Sequence, residues 1–460
     1  MSAAVTPPAA TSPPTNAPTG HPIGFWFIFW GEFAERCSYY GMRAILATYM
    51  SKEMGYGEAN AGTYMSFFIA ACYFLPLVGG YIADNFFGKY WTIVGFSLPY
   101  ILGQTLVGFP NQYVFLGSLV LLAMGSGVIK PNISTLMGLT YDQQRPGNDQ
   151  LRNAAFSWFY VAINIGALLG QLGVPYVKDN YGYQKAFLVP AVFMALALTA
   201  FALGKRFYAV ENVRKQNAAT TVTTAEKWQF LLRVAGLFLP IMMFWAAYDQ
   251  TASTWVFFGT TYMHPLDVFG YKISAEQLQF VNAFFIVTLT PVLRAFFASL
   301  AARGTTIQPI TKLLFGFVFT AAACAILAAA GSMAGTAVEQ TVLKDGKEVV
   351  EKVVADGEKV SMWLMVLAYF VLTIGELLIS ATGLELAFVI APPAMKGFVT
   401  ALFLLMVWAG NLFVNAPVTR LYPQMSPDTY FGMLAGLVLA AGAIYGLGAR
   451  RFQQAKPATA

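Results

Sequence analysis

The first long apolar run of the chain contains charged and phenolic side chains in the stretch GEFAERCSYYGMR. An α-helix brings residues three, four and seven positions apart onto one face. The residues that would share this face are Glu32, Glu35, Arg36, Tyr39, Tyr40 and Arg43. Because a charge at the centre of a bilayer costs about 2.5–3.5 kcal/mol on insertion scales, this face cannot point at lipid. We predict that it lines a wet cavity enclosed by protein. The alternative is an ion cluster that only fixes packing.

Other apolar runs carry isolated charges. Lys130 lies in GSGVIKPN, Asp249 in FWAAYDQ, and Glu376 in TIGELLIS. Glu385 follows in the same run but lies near its end, where a charge is less costly. A cation in the first half of the chain and carboxylates in the second predict an ion pair between the halves. Lys130 with Asp249 is the first candidate, and Lys130 with Glu376 or Arg43 with either carboxylate are the others.

Enzyme chemistry has little support in the residue types. The chain has two histidines and three cysteines, and all three cysteines lie in apolar runs. No disulfide framework, zinc-ligand spacing, P-loop or G-x-S-x-G nucleophile motif occurs. We therefore expect no catalytic site, no bound metal and no cofactor, and ATP-driven transport has no support.

The composition defines the elements that must position these side chains. Of 460 residues, 57% are apolar and 11% are charged, against about 25% charged in soluble domains. The net charge of +6 could suggest nucleic acid, but the basic residues lie mostly in short loops between apolar runs, so no nucleic-acid partner is expected. The composition predicts an all-α integral membrane protein surrounded by the lipid bilayer.

About twelve apolar runs are long enough to cross a membrane as helices. They are 23–50, 59–83, 89–108, 112–139, 152–177, 185–204, 229–258, 275–299, 308–331, 361–390, 396–421 and 429–449. The polar segment 209–227 divides them six and six, a pattern typical of transporters built from two six-helix bundles.

The predicted organisation follows from these runs. Its parts are a disordered cytoplasmic tail (1–21), an N-terminal bundle (22–208), a cytoplasmic linker (209–227), a C-terminal bundle (228–450) and a C-terminal tail (451–460). Loops on one side hold most of the Lys and Arg, which predicts that both termini are cytoplasmic. Segment 332–360 then lies outside, and its VLKDGKEVV stretch predicts a hairpin around Asp-Gly. We expect a multi-pass protein of the plasma or inner membrane, and a monomer.

Several motifs together resemble one family. EFAERCSYYGMR is similar to the E-x-x-E-R-F-x-Y-Y-G signature of the proton-coupled oligopeptide transporters, within the major facilitator superfamily. Three more stretches resemble further signatures of this family, namely GGYIADNFFGKYWTI, FYVAINIGALLG and GELLISATGLE. Two others resemble animal-type members in particular, FWAAYDQ and FVNAFF. Cys37 stands where the family has Phe, Ala167 where it has Ser, and Ser66 where animal-type members have His. The resemblance implies the major facilitator fold with twelve transmembrane helices.

The resemblance also implies a function, the proton-coupled import of di- and tripeptides by alternating access. Proton coupling would involve Glu32, Glu35, Arg36, Lys130 and Asp249. Arg36, Arg43 and Lys130 would face the peptide carboxylate, and Glu376 would face its ammonium. The remaining implied substrate-binding residues are Tyr39, Tyr40, Tyr73, Asn164, Trp245, Asn282, Ser380 and Trp408.

Two alternatives remain open at this stage. A relative with the same fold could carry another small anion or zwitterion, such as nitrate, an amino acid or a peptide-like drug. A membrane receptor could bind peptide without transporting it. Proton-linked flux into vesicles separates a transporter from a receptor, and a panel of substrates separates the transporters.

Overall fold

The computed structural model describes residues 20–211, 224–344, 347–391 and 395–454. Most of the predicted N-terminal tail, the centre of the linker 209–227 and the last residues of the C-terminal tail lie outside them. The described residues form almost entirely α-helix, which confirms the predicted all-α class.

The described part of the first half contains six long helices. They are α1 (Ile23–Thr48), α2 (Gly57–Ile82), α3 (Gly88–Leu106), α4 (Gln112–Gln144), α5 (Asp149–Tyr181) and α6 (Tyr183–Leu203). An asparagine begins two of them: Asn111 accepts bonds from the backbone N–H groups of Tyr113 and Val114, and Asn148 from that of Leu151. These caps place the starts of α4 and α5 at the ends of the preceding loops.

Among the described residues of the second half there are nine further helices. They are α7 (Thr224–Phe238), α8 (Ile241–Asp249), α9 (Thr254–Tyr262), α10 (Phe280–Ala302), α11 (Pro309–Met333), α12 (Trp363–Ile390), α13 (Lys396–Ala409), α14 (Ala416–Thr419) and α15 (Pro427–Gln454). The helix α15 extends four residues into the segment predicted as a tail, and α7 begins within the predicted linker.

The predicted apolar span 229–258 forms three helices and not one continuous helix. Pro240 separates α7 from α8, because proline lacks a backbone N–H and its ring clashes with the preceding turn. A 3₁₀ turn at Gln250–Ala252 separates α8 from α9, and Ser253 has non-helical backbone angles of φ −136° and ψ −88°. Asp249 therefore lies at a break in the helix, where its side chain is not confined to a helical face.

Short strands lie at one end of the molecule. They are β1 (Met263–His264), β2 (Leu266–Val268), β3 (Tyr271–Ile273), β4 (Val338–Lys344), β5 (Lys347–Val353) and β6 (Val360–Ser361). β4 and β5 pair antiparallel with Lys344 opposite Lys347, which confirms the predicted hairpin strands, although the Asp-Gly turn itself lies outside the described residues. We call this end the hairpin side, and the end at which α1 begins and α15 ends the terminal side.

Nine stretches of the described residues are long and apolar enough to cross a membrane, and one of them, Gly57–Leu106, contains both α2 and α3. The chain is thus an all-α, multi-pass membrane protein. Close helix contacts hold its first half together. A Cβ added at Gly170 of α5 would lie 2.4 Å from the carbonyl oxygen of Cys37, and one at Gly166 would lie 2.6 Å from that of Phe33. Glycines four residues apart let α5 pack directly on the charged part of α1.

Candidate functional site

Two carboxylates share one guanidinium group on α1. The Nε atom of Arg36 lies 2.7 Å from Glu32 Oε1 and 2.7 Å from Glu35 Oε2, and all three residues are buried. Only the Glu32 contact has hydrogen-bond geometry. The carboxylates outnumber the guanidinium group, so one of them can take up a proton while Arg36 keeps an ionised partner.

Lys130 of α4 lies over two aromatic rings. Its Nζ atom is 4.4 Å from the ring centre of Tyr39 and 5.2 Å from that of Tyr73. These cation–π contacts hold the ammonium group. Within the described part of the chain, no carboxylate lies within 4.0 Å of it. The half-buried Lys130 is thus placed by aromatic rings and is available to an anionic ligand.

The ion pair between the halves differs from the first candidate. Asp249 Oδ1 lies 2.8 Å from Nη2 of Arg43 on α1, instead of binding Lys130. Asn411, which the sequence analysis missed, donates to the other oxygen of Asp249 at 2.7 Å, and Asn415 donates to Asn411 at 3.0 Å. Both amides lie in the π-helical turn Gly410–Asn415 between α13 and α14. The sequence feature that could have identified Asn411 and Asn415 is the pair of amide side chains four residues apart in an apolar run.

Glu376 of α12 is positioned by an amide. Asn282 of α10 donates its Nδ2 to Glu376 Oε2 at 2.8 Å and to Thr373 Oγ1 at 3.1 Å. The Tyr248 hydroxyl donates to Asn282 Oδ1 at 3.2 Å. In this conformation Asn282 therefore orients the half-buried Glu376, so its predicted contact with a peptide backbone would require a rearrangement.

The other predicted residues occupy different positions. Asn164 donates to the Tyr160 carbonyl of its own helix at 2.8 Å, and Ser380 donates to the Glu376 carbonyl at 2.7 Å. Trp245 is buried against Tyr248, and its Nε1 has no hydrogen-bond partner among the described residues. Among the described residues, no hydrogen bond or ion pair joins these three side chains to Arg36 or Lys130.

Aromatic side chains of both halves meet at the interface. Trp408 of α13 contacts Phe74 of α2, with 5.7 Å between ring centres. Tyr40 of α1 lies within electrostatic reach of Glu376 on α12. Tyr40 and Trp408 are only half-buried, although they lie in the middle of the molecule. The two halves thus meet through aromatic side chains as well as through the ion pair of Arg43 with Asp249.

A second connection between the halves was missed by the sequence analysis. Glu276 is 3% exposed and accepts bonds from Lys178 at the end of α5 and from the Thr48 hydroxyl at the end of α1. We call Thr48, Lys178 and Glu276 the Glu276 latch. Glu276 lies within a predicted apolar run, and a charge in such a run is the sequence feature that could have identified it.

Further polar contacts between the halves lie beside the Glu276 latch. Gln277 and Gln279 donate to backbone carbonyls of α5 and α1, at 3.1 Å each. On the other flank, Arg420 donates to Thr63 Oγ1 at 3.2 Å. Lys352 of the β4–β5 hairpin lies 3.7 Å from Glu58 of α2. All these contacts lie on the hairpin side, which is therefore closed.

Within the residues that the structure describes, no group of three His, Cys, Asp or Glu side chains is placed to hold a metal ion. What the fold and the site define is a polytopic helical membrane protein, with ionised groups buried inside one half and between the two halves.

The comparisons with known proteins identify the family. The chain belongs to the POT family, whose model matches residues 90–225 and 209–428. This confirms the resemblance to proton-coupled oligopeptide transporters. Over 372 residues the chain is 32% identical to human Solute carrier family 15 member 1, which covers 67% of this chain and 52% of that protein. The chain thus spans about half the length of this relative and of the other animal relatives it matches.

Solved structures share the fold over nearly the whole chain. An auto inhibited POT family peptide transporter is similar with a TM-score of 0.79 and 26% identity, over 94% of this chain and 97% of that one. A mutant of a peptide transporter POT, in complex with alafosfalin, gives a TM-score of 0.75 with 26% identity. It covers 96% of this chain and 98% of that one. These neighbours are transporters, not enzymes.

Proposed function

We propose that this protein is a proton-coupled symporter that imports di- and tripeptides by alternating access. The observation that carries the proposal is the separation of opposite charges. Lys130 lies in the first half without a carboxylate partner among the described residues, and Glu376 is held by an amide in the second half. A short peptide is a zwitterion, so its carboxylate and ammonium match a cation on one half and a carboxylate on the other.

The twelve-helix count is part of the proposal. The nine apolar stretches provide ten membrane crossings when α2 and α3, which share one stretch, are counted separately. The helix α1 adds one, since its four charges are buried against protein, and the broken segment α7 to α9 adds another. Six crossings in each half, 22–208 and 228–450, support the two-bundle organisation of the major facilitator fold.

Orientation follows from the basic loops. We place the terminal side in the cytoplasm of a cell bounded by this plasma or inner membrane, and the hairpin side, with the loop 332–360, outside. The protein would act as a monomer, since each half supplies part of the same site. In this orientation the described conformation is closed to the outside.

Labelled dialanine should accumulate in liposomes that contain the full-length protein when the outside is acidic. The physical reason is that Glu32 and Glu35 share Arg36, so a proton can enter with the substrate. Initial uptake is measured with and without the pH gradient, and with an uncoupler. Uptake that is equal under all three conditions would contradict proton coupling. Binding without flux would favour the receptor alternative, and a panel with nitrate, free amino acids and peptide-like drugs tests the substrate class.

Replacing Glu376 by glutamine should weaken binding of free-amine peptides far more than binding of N-acetylated ones. The variant loses an ion pair with the ammonium that contributes about 1–3 kcal/mol, or about 5- to 150-fold in affinity. Competition against labelled dialanine in proteoliposomes measures both ligand types.

The matched control for this prediction is Glu385→Gln. Glu385 lies on the same helix α12, but its side chain is exposed and belongs to no described ion pair. We expect the Glu385→Gln variant to bind free-amine and N-acetylated peptides with the affinities of the parent protein. Equal losses for acetylated and free-amine peptides in Glu376→Gln would show that this carboxylate does not recognise the amine.

A further inference from the structure

The helix α3 carries a buried polar face inside the first half. Lys89, Ser97, Tyr100 and Gln104 are spaced so that they fall on one side of the helix, with Thr92 at its edge. All five are at most 8% exposed.

This polar face meets α1 on the side of Glu35. Gln104 donates its Nε2 to the Ser38 hydroxyl of α1 at 3.1 Å. The Tyr100 side chain is fully buried and lies beside the Glu35 carboxylate. A small cavity of about 10 Å³, room for about one water molecule, is lined by Glu35 and Ser97, together with apolar side chains of α4 and α6. Glu35 thus faces the interior of the first half, which differs from the prediction that all six polar residues of α1 line one cavity.

Several polar atoms of α3 and α1 at this buried face lack hydrogen-bond partners in the part of the chain that the structure describes. The Tyr100 hydroxyl, the Thr92 hydroxyl and the Gln104 Oε1 atom are buried and make no hydrogen bond of ordinary geometry among the described residues, and neither do the oxygens of Glu35, one of which is ion-paired with Arg36. A buried polar group without a partner costs about as much as a lost hydrogen bond, so such groups are normally satisfied by ordered water. Several of them along one helix face define places for ordered water molecules.

The polar face ends at charged groups on the terminal side. Lys89, one turn from Thr92, pairs with Asp84, and its backbone N–H donates to Glu211. One oxygen of Glu211 is buried without a described partner. Burial raises the pKa of the Glu211 carboxyl, and the Lys89 N–H opposes that rise. A proton acceptor thus lies where the polar face reaches the surface.

We propose that buried polar side chains and ordered water inside the first half, between α1 and α3, carry the proton from Glu35 to the terminal side, apart from the substrate site. Tyr100 is the positioning residue that holds the first water beside Glu35. The inference deepens the proposed proton-coupled transport and rests on it. It separates the exit of the proton from the exit of the peptide.

The proton balance of this step is simple. The O–H bond of protonated Glu35 breaks, and its proton moves to a neighbouring water molecule. That water passes a different proton along the chain, past Ser97 and Thr92, toward Glu211 and bulk water. Glu35 is left as a carboxylate beside the Arg36 guanidinium, and no other reactant is required.

The test compares Tyr100→Phe with Tyr445→Phe in full-length protein in liposomes. Tyr445 is the matched control, because its hydroxyl is also buried without a described partner but lies in the other half. Tyr100→Phe should slow gradient-driven dialanine uptake about fivefold, which equals about 1 kcal/mol in the barrier. Its counterflow exchange at equal pH, which needs no net proton release, should stay at the parental rate. Tyr445→Phe should match the parent in both assays.

Parental gradient-driven uptake in Tyr100→Phe, or an equal fall in uptake and exchange, would overturn the proposal. If Tyr100→Phe does not fold, Thr92→Val provides the same comparison. A second measurement does not depend on the substrate, namely hydroxyl-radical footprinting of the unmodified protein by pulsed X-rays. Tyr100 should be modified by adjacent water, and Tyr430, whose hydroxyl is bound to Gln250, should not. An unmodified Tyr100 would overturn the path even if dialanine proved not to be a substrate.

Discussion

Alanine at Arg43 or at Asp249 should abolish accumulation of peptide and destabilise the protein by about 3–5 kcal/mol. Each change leaves the other charge buried, since Arg43 is 8% and Asp249 is 4% exposed. The cost falls on the conformation that is closed on the hairpin side, because water can solvate the remaining charge only when the halves separate. Uptake and thermal unfolding of the purified variants measure the two effects.

A double-mutant cycle identifies the partner of Asp249. The double variant Arg43→Ala with Asp249→Ala should lose less stability than the sum of the two single variants. The reason is that the double variant has no unpaired buried charge, whereas each single variant has one. The cycle of Lys130→Ala with Asp249→Ala is the matched control and should be additive, since Lys130 contacts Tyr39 and Tyr73 instead. Coupling in the Lys130 cycle and additivity in the Arg43 cycle would reverse this assignment.

Glutamine at Glu32 or Glu35 should abolish gradient-driven accumulation while exchange of peptide across the membrane persists. Glutamine cannot carry the transported proton, but Arg36 keeps one ionised carboxylate in either single variant, so the protein should still fold. Uptake under a pH gradient and counterflow without one separate the two activities.

The double variant Glu32→Gln with Glu35→Gln extends this test. It leaves Arg36 buried without a carboxylate, so both activities and the fold should be lost, at a cost of about 3–5 kcal/mol. Glu385→Gln, on an exposed position of α12, should retain both activities. A single variant that loses exchange as completely as accumulation would point to a role of that carboxylate in folding or substrate binding.

Local patterns predicted much of this molecule. The helical spacing of charges in α1, the apolar runs and the Asp-Gly dipeptide each depend on nearby residues, so the sequence alone indicated helices, burial and the β4–β5 strands. The pairing of Glu32 with Arg36 follows from their separation of four residues.

Contacts between distant segments could not be predicted in the same way. Spacing places Asp249 on a helix, but the choice between Arg43 and Lys130 depends on how the two halves rest against each other. The 3₁₀ turn after Asp249 changes the direction of its side chain, and the π-helical turn at Gly410–Asn415 brings in Asn411. The direction of Glu35 depends on the rotation of α1 against α3, which a periodic pattern leaves open.

The Glu276 latch has a consequence for how tightly the protein binds. Contacts that close the hairpin side make the state open to that side a minor population. A peptide arriving there binds only this fraction of molecules, so its apparent dissociation constant is the intrinsic one divided by the fraction. A population of about one in a hundred would weaken apparent affinity about a hundredfold. A peptide approaching from the terminal side meets no such factor. One pocket would thus show two affinities, and the concentration for half-maximal uptake would report on Lys178 and Glu276 as much as on the pocket itself.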